Sequence, residues 1–135
     1  MQLEVGSETA GARWRWKEAR TVERKARRTL APEGISFSDW LVLEGLLDAR
    51  DPLREGVYQA EVARHTGLSE RVVCASMIKL DERGLVDRGE GEDPRSWAVL
   101  LTTEGVKLLR SCRDRLAVAG LNVARSSELV FAREG

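Results

Sequence analysis

The stretch that decides the fold is EVARHTGLSERVVCASMIKL, residues 61–80. Its first part favours a short helix that stops at Gly67, and Ser69 is a good N-cap for a second helix that begins almost at once. Two helices joined by so short a turn need a small residue at their crossing, a turn residue without Cβ strain and an apolar anchor on the second helix. Ala63, Gly67 and Val73 meet these three requirements. The spacing therefore predicts a helix-turn-helix.

The segments that follow this pair of helices predict a wing. Residues 85–88 and 97–101 each favour a short strand, and the loop between them is polar and charged. Thr102 then has the position of an N-cap before a further helix with an apolar stripe. The order of two helices, a hairpin and a capped helix predicts a mainly α fold, a winged helix-turn-helix over residues 36–101 with a small β-hairpin wing.

The remaining segments predict helices on both sides of this region. Residues 8–31 contain apolar side chains at helical spacing up to Pro32, and Ser36 fits as the N-cap of the next helix. Residues 103–133 predict two further helices, of which the last is weakly periodic. The length favours one domain over residues 1–135, because single domains commonly contain about 100–200 residues.

The composition excludes several classes of protein. Its 42% hydrophobic and 33% charged residues are typical of a globular protein. No stretch approaches the roughly 18 apolar residues of a membrane span, and the first residues lack the cationic and apolar regions of a signal peptide. Two cysteines are too few for a disulfide framework. We therefore expect a cytoplasmic protein without a membrane segment.

The sequence offers no set of residues for catalysis. It contains no Ser-His-Asp pattern, no phosphate-binding loop and no carboxylate cluster near a histidine. The single histidine, His65, has no second His or nearby Cys with which to bind a metal ion. We therefore expect no enzymatic activity, no metal and no cofactor.

At this point the sequence resembles the multiple-antibiotic-resistance regulator (MarR) family of bacterial transcription factors. The resemblance runs from about residue 35 to residue 109 and is densest in residues 61–69, 80–86, 93–95 and 101–105. It implies a homodimer that binds a palindromic operator in double-stranded DNA, with residues 8–31 and 103–133 as dimerisation helices. The Asp-x-Arg wing motif of the family corresponds to Asp93 and Arg95. By this resemblance Arg95 enters the minor groove while Asp93 holds its side chain in position.

The second helix of the predicted helix-turn-helix carries side chains suited to DNA. Arg71, near its N-terminus, can reach base edges or phosphates, and Val72 can touch a thymine methyl group. Lys79 can contact the phosphate backbone, as can Gln59 at the start of the preceding helix. With the wing residues included, the candidate DNA-binding residues are Gln59, Ser69, Arg71, Val72, Ala75, Ser76, Lys79, Arg88, Asp93 and Arg95.

The resemblance also implies a small aromatic or acidic effector, because the family often binds aromatic acids between its dimerisation and DNA-binding regions. The candidate effector-binding residues are Trp16, Arg20 and Trp40, with core packing as the alternative for the two tryptophans. Cys74 and Cys112 both lie beside apolar positions, which favours packing over a redox switch.

Charge alone at first argues against a DNA-binding protein, because 22 basic residues balance 22 acidic ones. The basic residues are concentrated at the two ends of the chain and the acidic ones in the middle, so the neutral sum does not exclude DNA binding. It predicts weak non-specific affinity that depends on a few side chains such as Arg71 and Arg95. The leading hypothesis is a dimeric, ligand-responsive transcription regulator, a repressor. The alternative is a winged-helix protein–protein interaction module without sequence-specific DNA binding.

Overall fold

The computed structural model describes the backbone of residues 2–89 and 97–121, and the side chains of residues 10–89 and 97–121. Within these ranges the chain forms five α-helices, one short 3-10 helix and a two-stranded antiparallel hairpin. The helices are α1 (Gln2–Leu30), α2 (Phe37–Ala49), α3 (Gln59–Thr66), α4 (Glu70–Glu82) and α5 (Thr103–Val118), and the 3-10 helix is Ala31–Glu33. The strands are β1 (Val86–Arg88) and β2 (Val99–Leu101).

The mainly α architecture with a small hairpin confirms the predicted fold class. The first helix begins earlier than expected, at Gln2, and each strand is shorter than its predicted segment. The helix expected at the C-terminal end and the tip of the wing, with Asp93 and Arg95, lie outside the described residues.

Helix α2 occupies the centre of the fold. Its Ser36 N-cap accepts a hydrogen bond from the backbone N–H of Asp39 at 3.1 Å, as the sequence predicts. The helix is apolar on most of its circumference because α3, α4, α5 and β2 all pack against it. The buried residues of α2 are Asp39, Trp40, Val42, Leu43, Gly45, Leu46 and Leu47. Helices α3, α4 and α5 and strand β2 are therefore positioned against this helix.

The contact between α2 and α3 depends on a glycine. A Cβ atom at Gly45 would lie 2.6 Å from Cγ2 of Thr66 and 3.2 Å from Cγ1 of Val62, both on α3. Thr66 then shapes the turn, since its hydroxyl donates to the carbonyl of Val62 at 2.8 Å and accepts from the N–H of Leu68 at 3.2 Å. Gly67 ends α3 with φ of +77°, a conformation that is strained for side chains other than glycine.

The hairpin is joined to the helices on both sides. Strands β1 and β2 pair in register from Val86 with Leu101 to Arg88 with Val99. Val57, two residues before α3, adds an isolated bridge to Val99 with both N–H···O distances at 2.9 Å. Movement of the hairpin is therefore coupled to the start of α3.

Two ion pairs tie α5 to the rest of the fold. Arg113 binds Glu44 of α2 through two hydrogen bonds, Nε to Oε2 at 3.0 Å and Nη2 to Oε1 at 2.6 Å. Glu33 accepts hydrogen bonds from Arg115 and from the Ser111 hydroxyl, and these partners hold the pKa of Glu33 below its usual value. Because folding lowers this pKa, the ionised Glu33 carboxylate stabilises the folded state at neutral pH. This stabilisation is lost as the pH falls through the folded-state pKa of Glu33.

We expect the Arg113→Ala variant to lower the free energy of unfolding by about 3 kcal/mol, because it leaves the Glu44 carboxylate buried without its partner. The two side chains are only 10% and 13% exposed. The matched control is Lys107→Ala, which removes an exposed ion pair with Glu104 and should cost less than about 1 kcal/mol. Urea denaturation of both variants measures the difference, and equal costs would contradict a structural role for the Arg113 pair.

Candidate nucleic-acid interface

Helix α4 has one buried and one exposed face. The Ser69 hydroxyl accepts a hydrogen bond from the N–H of Val72 at 3.2 Å and so caps its N-terminus. Val73, Met77 and Leu80 are fully buried on the inner side. Burial of this stripe fixes which residues of the helix point outward.

The opposite face of α4, here called the outer face, consists of the exposed residues Arg71, Val72, Ala75, Ile78 and Lys79. Four of these are among the DNA-binding residues predicted from the sequence. The fifth, Ile78, is 43% exposed and is not among the predicted residues. Its spacing from Arg71 and Ala75, at i+7 and i+3, is the signal that places it on the same face.

Two candidate residues do not belong to this surface. Gln59 is only 1% exposed, and Ser76 is only 2% exposed. Gln59 precedes the buried Val62 by three residues, so both side chains face the interior. Ser76 lies within the buried stripe of α4, between Val73 and Leu80. It follows Val73 by three residues and precedes Leu80 by four, and this helical spacing already indicates the buried face. Neither side chain is available to a ligand on the surface.

Lys79 is exposed and also forms an ion pair within the fold. Its Nζ lies 3.2 Å from Oδ2 of Asp39, and 58% of the lysine side chain remains exposed. Asp39 is buried in the first turn of α2. The ion pair therefore connects α4 to α2 while leaving the ammonium group in contact with solvent.

Arg88 is held at the base of the hairpin. Its Nε lies 3.2 Å from Oδ2 of Asp81 in the last turns of α4, and only 15% of its side chain is exposed. Its guanidinium group stacks 5.1 Å from the ring centroid of Trp97, at the other side of the wing. This geometry describes a residue that anchors the hairpin to α4, and its guanidinium is largely withdrawn from the surface.

The three candidate effector-binding residues are not brought together in the chain. The guanidinium of Arg20 lies 5.5 Å from the ring of Trp16, and both residues line an open groove formed by α1 alone. Trp40 is 7% exposed and packs against Phe37, with ring centroids 5.6 Å apart. It does not line that groove, and the core-packing alternative describes its surroundings. Trp14 and Trp16 are 69% and 64% exposed.

Within residues 10–89 and 97–121, no three His, Cys, Asp or Glu side chains are grouped closely enough to hold a metal ion. His65 is exposed at the end of α3. Across the part of the chain that the structure describes, no helix combines the length and the apolar character needed to cross a membrane.

Comparisons with known proteins agree with the geometry. No family model matches the chain. The chain is 33% identical over 91 residues to the uncharacterised HTH-type transcriptional regulator YwoH of Bacillus subtilis, and the match covers 67% of this chain and 63% of that relative. A MarR-family transcriptional regulator from Rhodococcus sp. RHA1 has a solved structure with 26% identity and a TM-score of 0.69, covering 84% of this chain and 78% of the other.

The chain has the fold of the MarR-family regulators. CouR from Rhodococcus jostii RHA1, solved with p-coumaroyl-CoA, is 25% identical with a TM-score of 0.64, over 87% of this chain and 82% of CouR. MosR of Mycobacterium tuberculosis, solved in complex with DNA, shares the fold with 18% identity and a TM-score of 0.61, over 81% of this chain and 76% of MosR. The Bacillus, RHA1 and MosR proteins are named as transcriptional regulators, which agrees with the expectation that the chain is not an enzyme.

The two cysteines of the chain have different surroundings. Cys112 on α5 is fully buried, and burial raises the pKa of its thiol to about 12, with the nearby Glu33 and Glu44 carboxylates adding to the effect. A thiol with so high a pKa is not ionised at neutral pH and is therefore unreactive. Cys74 on α4 is half-buried. The expectation of packing thus describes Cys112 well.

Proposed function

We propose that this protein is a member of the MarR family, a dimeric, sequence-specific DNA-binding transcription regulator of the cytoplasm, and a repressor relieved by a small aromatic or acidic effector. The observation that carries the proposal is the outer face of α4. The outer face is the exposed surface of the second helix of a helix-turn-helix. The opposite face of that helix is fixed by the complete burial of Val73, Met77 and Leu80. The same position holds the recognition helix in other proteins of this architecture.

The outer face suits the major groove of DNA. Arg71 in the first turn of α4 can donate hydrogen bonds to a guanine edge, and Val72 offers methyl groups to thymine. Ala75 is small enough to let the helix axis approach the base edges, and Ile78 adds apolar surface beside it. Lys79 extends toward the phosphate backbone from its ion pair with Asp39.

The wing supplies the second proposed contact. By the family motif Asp93 positions Arg95 for the minor groove, whose negative potential attracts arginine. Both residues lie outside the described part of the chain. Ser69, already engaged as the N-cap of α4, remains exposed and is proposed as a phosphate contact at the helix N-terminus.

The proposed dimer uses the ends of the chain. The side chains of α1 from Ala10 to Lys25 are almost all exposed, including two tryptophans, so this half of the helix has little apolar burial within one chain. We propose that residues 8–31 and 103–133 pack against a second copy. A two-fold dimer would then read a palindromic operator with half-sites about one helical turn apart.

The relatives support both binding partners. YwoH is a transcriptional regulator of the helix-turn-helix type, and MosR was solved with DNA. CouR was solved with p-coumaroyl-CoA, an aromatic acyl compound, which supports the proposal of an effector for this chain. Such a ligand would act by favouring a conformation in which the two recognition helices no longer match the operator.

The direct test is selection of bound fragments from the parent genome, followed by fluorescence anisotropy at fixed salt. We expect a palindromic fragment that binds about 10³-fold more tightly than random DNA. Arg71→Ala should weaken binding to this fragment by about 1–3 kcal/mol, whereas Lys107→Ala on α5 should not change it. The absence of any fragment that binds more tightly than random DNA would contradict the proposed function.

The salt dependence of binding separates Arg88 from a phosphate-contacting residue. Arg88→Ala should weaken binding because the hairpin loses its anchor to Asp81, while the slope of log K against log salt stays unchanged. Lys79→Ala should reduce that slope by about one unit, since one phosphate contact is lost. A reduction of the slope by Arg88→Ala equal to that of Lys79→Ala would show that Arg88 contacts the DNA backbone.

A further inference from the structure

The outer face of α4 carries a row of apolar side chains, here called the apolar ridge. Its members are Val72, Ala75 and Ile78, which follow one another at intervals of three residues. Side chains at this spacing are neighbours on a helix, so the row is continuous and crosses the face obliquely. All three residues are exposed, Val72 to 37% and Ile78 to 43%. The ridge extends over about 9 Å of the helix axis.

The apolar ridge lies between two cationic side chains. Arg71 precedes it and Lys79 follows it, and eight residues of helix separate these cations by about 12 Å along the axis. The major groove of DNA is about 12 Å wide and has a phosphate backbone on each side. Lys79 remains 58% exposed although its Nζ lies 3.2 Å from Oδ2 of Asp39. This arrangement of charge favours DNA as the partner that covers the ridge.

The outer face offers few neutral hydrogen-bonding groups to the bases. Helix α4, all of whose residues the structure describes, contains no asparagine or glutamine. Its one serine, Ser76, is only 2% exposed. The hydroxyl of the N-cap Ser69 already accepts the N–H of Val72 at 3.2 Å. With Lys79 assigned to the phosphate backbone, recognition of the bases by this face depends on Arg71 and on apolar contact.

The acidic residues of α4 are placed away from the ridge. Glu70 and Glu82 are the first and last residues of the helix, and both are exposed. Asp81 is paired with Arg88, whose Nε lies 3.2 Å from its Oδ2. Phosphates repel carboxylates, so the two end glutamates disfavour docking by either end of the helix alone. Approach by the middle of the helix brings the ridge to the bases.

The 5-methyl group of thymine is the apolar group that the major groove presents at its base edges. Contact with the ridge would remove this methyl from water, and each buried methyl should tighten binding about fourfold. The exocyclic amines of adenine and cytosine would lose their water there without gaining a partner, which costs free energy. The ridge therefore favours thymine and disfavours the other bases beneath it.

We propose that Val72 and Ile78 each recognise a thymine 5-methyl group, so that every operator half-site requires thymine at two positions. The small Ala75 lets the helix approach the bases between them. Because the ridge spans about 9 Å and base steps are about 3.4 Å, the two thymines lie two or three base pairs apart. This inference rests on the proposed function and names the class of DNA sequence that the outer face recognises.

The first test removes single methyl groups from the DNA. In a fragment selected as described above, each thymine is replaced in turn by deoxyuridine, which keeps the base pair with adenine and lacks only the methyl group. Fluorescence anisotropy at fixed salt should show a loss of affinity of about fourfold at two positions of each half-site. Specific binding that is unaffected by deoxyuridine at every thymine would overturn the proposal.

The second test assigns each methyl group to its side chain. Val72→Ala should abolish the effect of deoxyuridine at one of the two positions, and Ile78→Ala should abolish it at the other. The matched control is Leu53→Ala, which shortens an apolar side chain that is 93% exposed in the loop after α2. It should leave both deoxyuridine effects intact. All three positions are exposed, so the variants should keep the urea midpoint of the wild-type protein.

The two proposals fail in different ways. If no fragment binds more tightly than random DNA, the proposed function fails and the inference fails with it. If a specific fragment binds and both deoxyuridine effects persist in Val72→Ala and Ile78→Ala, the proposed function stands and recognition of methyl groups by the ridge is overturned. Loss of one deoxyuridine effect in each variant, with none lost in Leu53→Ala, supports both.

Discussion

The close approach of α3 to α2 at Gly45 is the constraint on which the rest of the structure depends. A Cβ atom at this position would lie 2.6 Å from Thr66, so any larger residue would push the two helices apart. Thr66 in turn forms the hydrogen bond that closes the turn before α4. The distance between α2 and α3 therefore sets the path of the chain into α4, and with it the direction in which the outer face points.

Helix α2 also receives one ionic contact from α4 and one from α5. Lys79 connects it to α4 through Asp39, and Arg113 connects it to α5 through Glu44. The first pair is open to solvent on the lysine side, whereas the second is nearly buried. Buried charge pairs fix geometry because a separated partner is costly in a low-dielectric interior. The attachment of α5 is thus the more rigid of the two.

Local signals were sufficient for most of the fold and for part of the interface. The N-caps at Ser36, Ser69 and Thr102 depend on hydrogen bonds within three residues, so their positions could be predicted from the sequence. The burial of Gln59 and the anchoring of Arg88 depend on which distant elements pack together, and no local pattern contains that information. Likewise, the hydrogen bond from Arg54, in the loop after α2, to Glu61 in the first turn of α3 depends on how that loop packs against the helix.

Site-specific photo-crosslinking measures whether the outer face of α4 meets the bases of DNA. A benzophenone amino acid at position 75, on the outer face, is compared with the same group at position 48, an exposed position on α2. Both proteins are irradiated on a selected genomic fragment. If the outer face of α4 contacts the bases, position 75 will crosslink to the DNA and position 48 will not. A crosslink from position 48 with none from position 75 would contradict this contact.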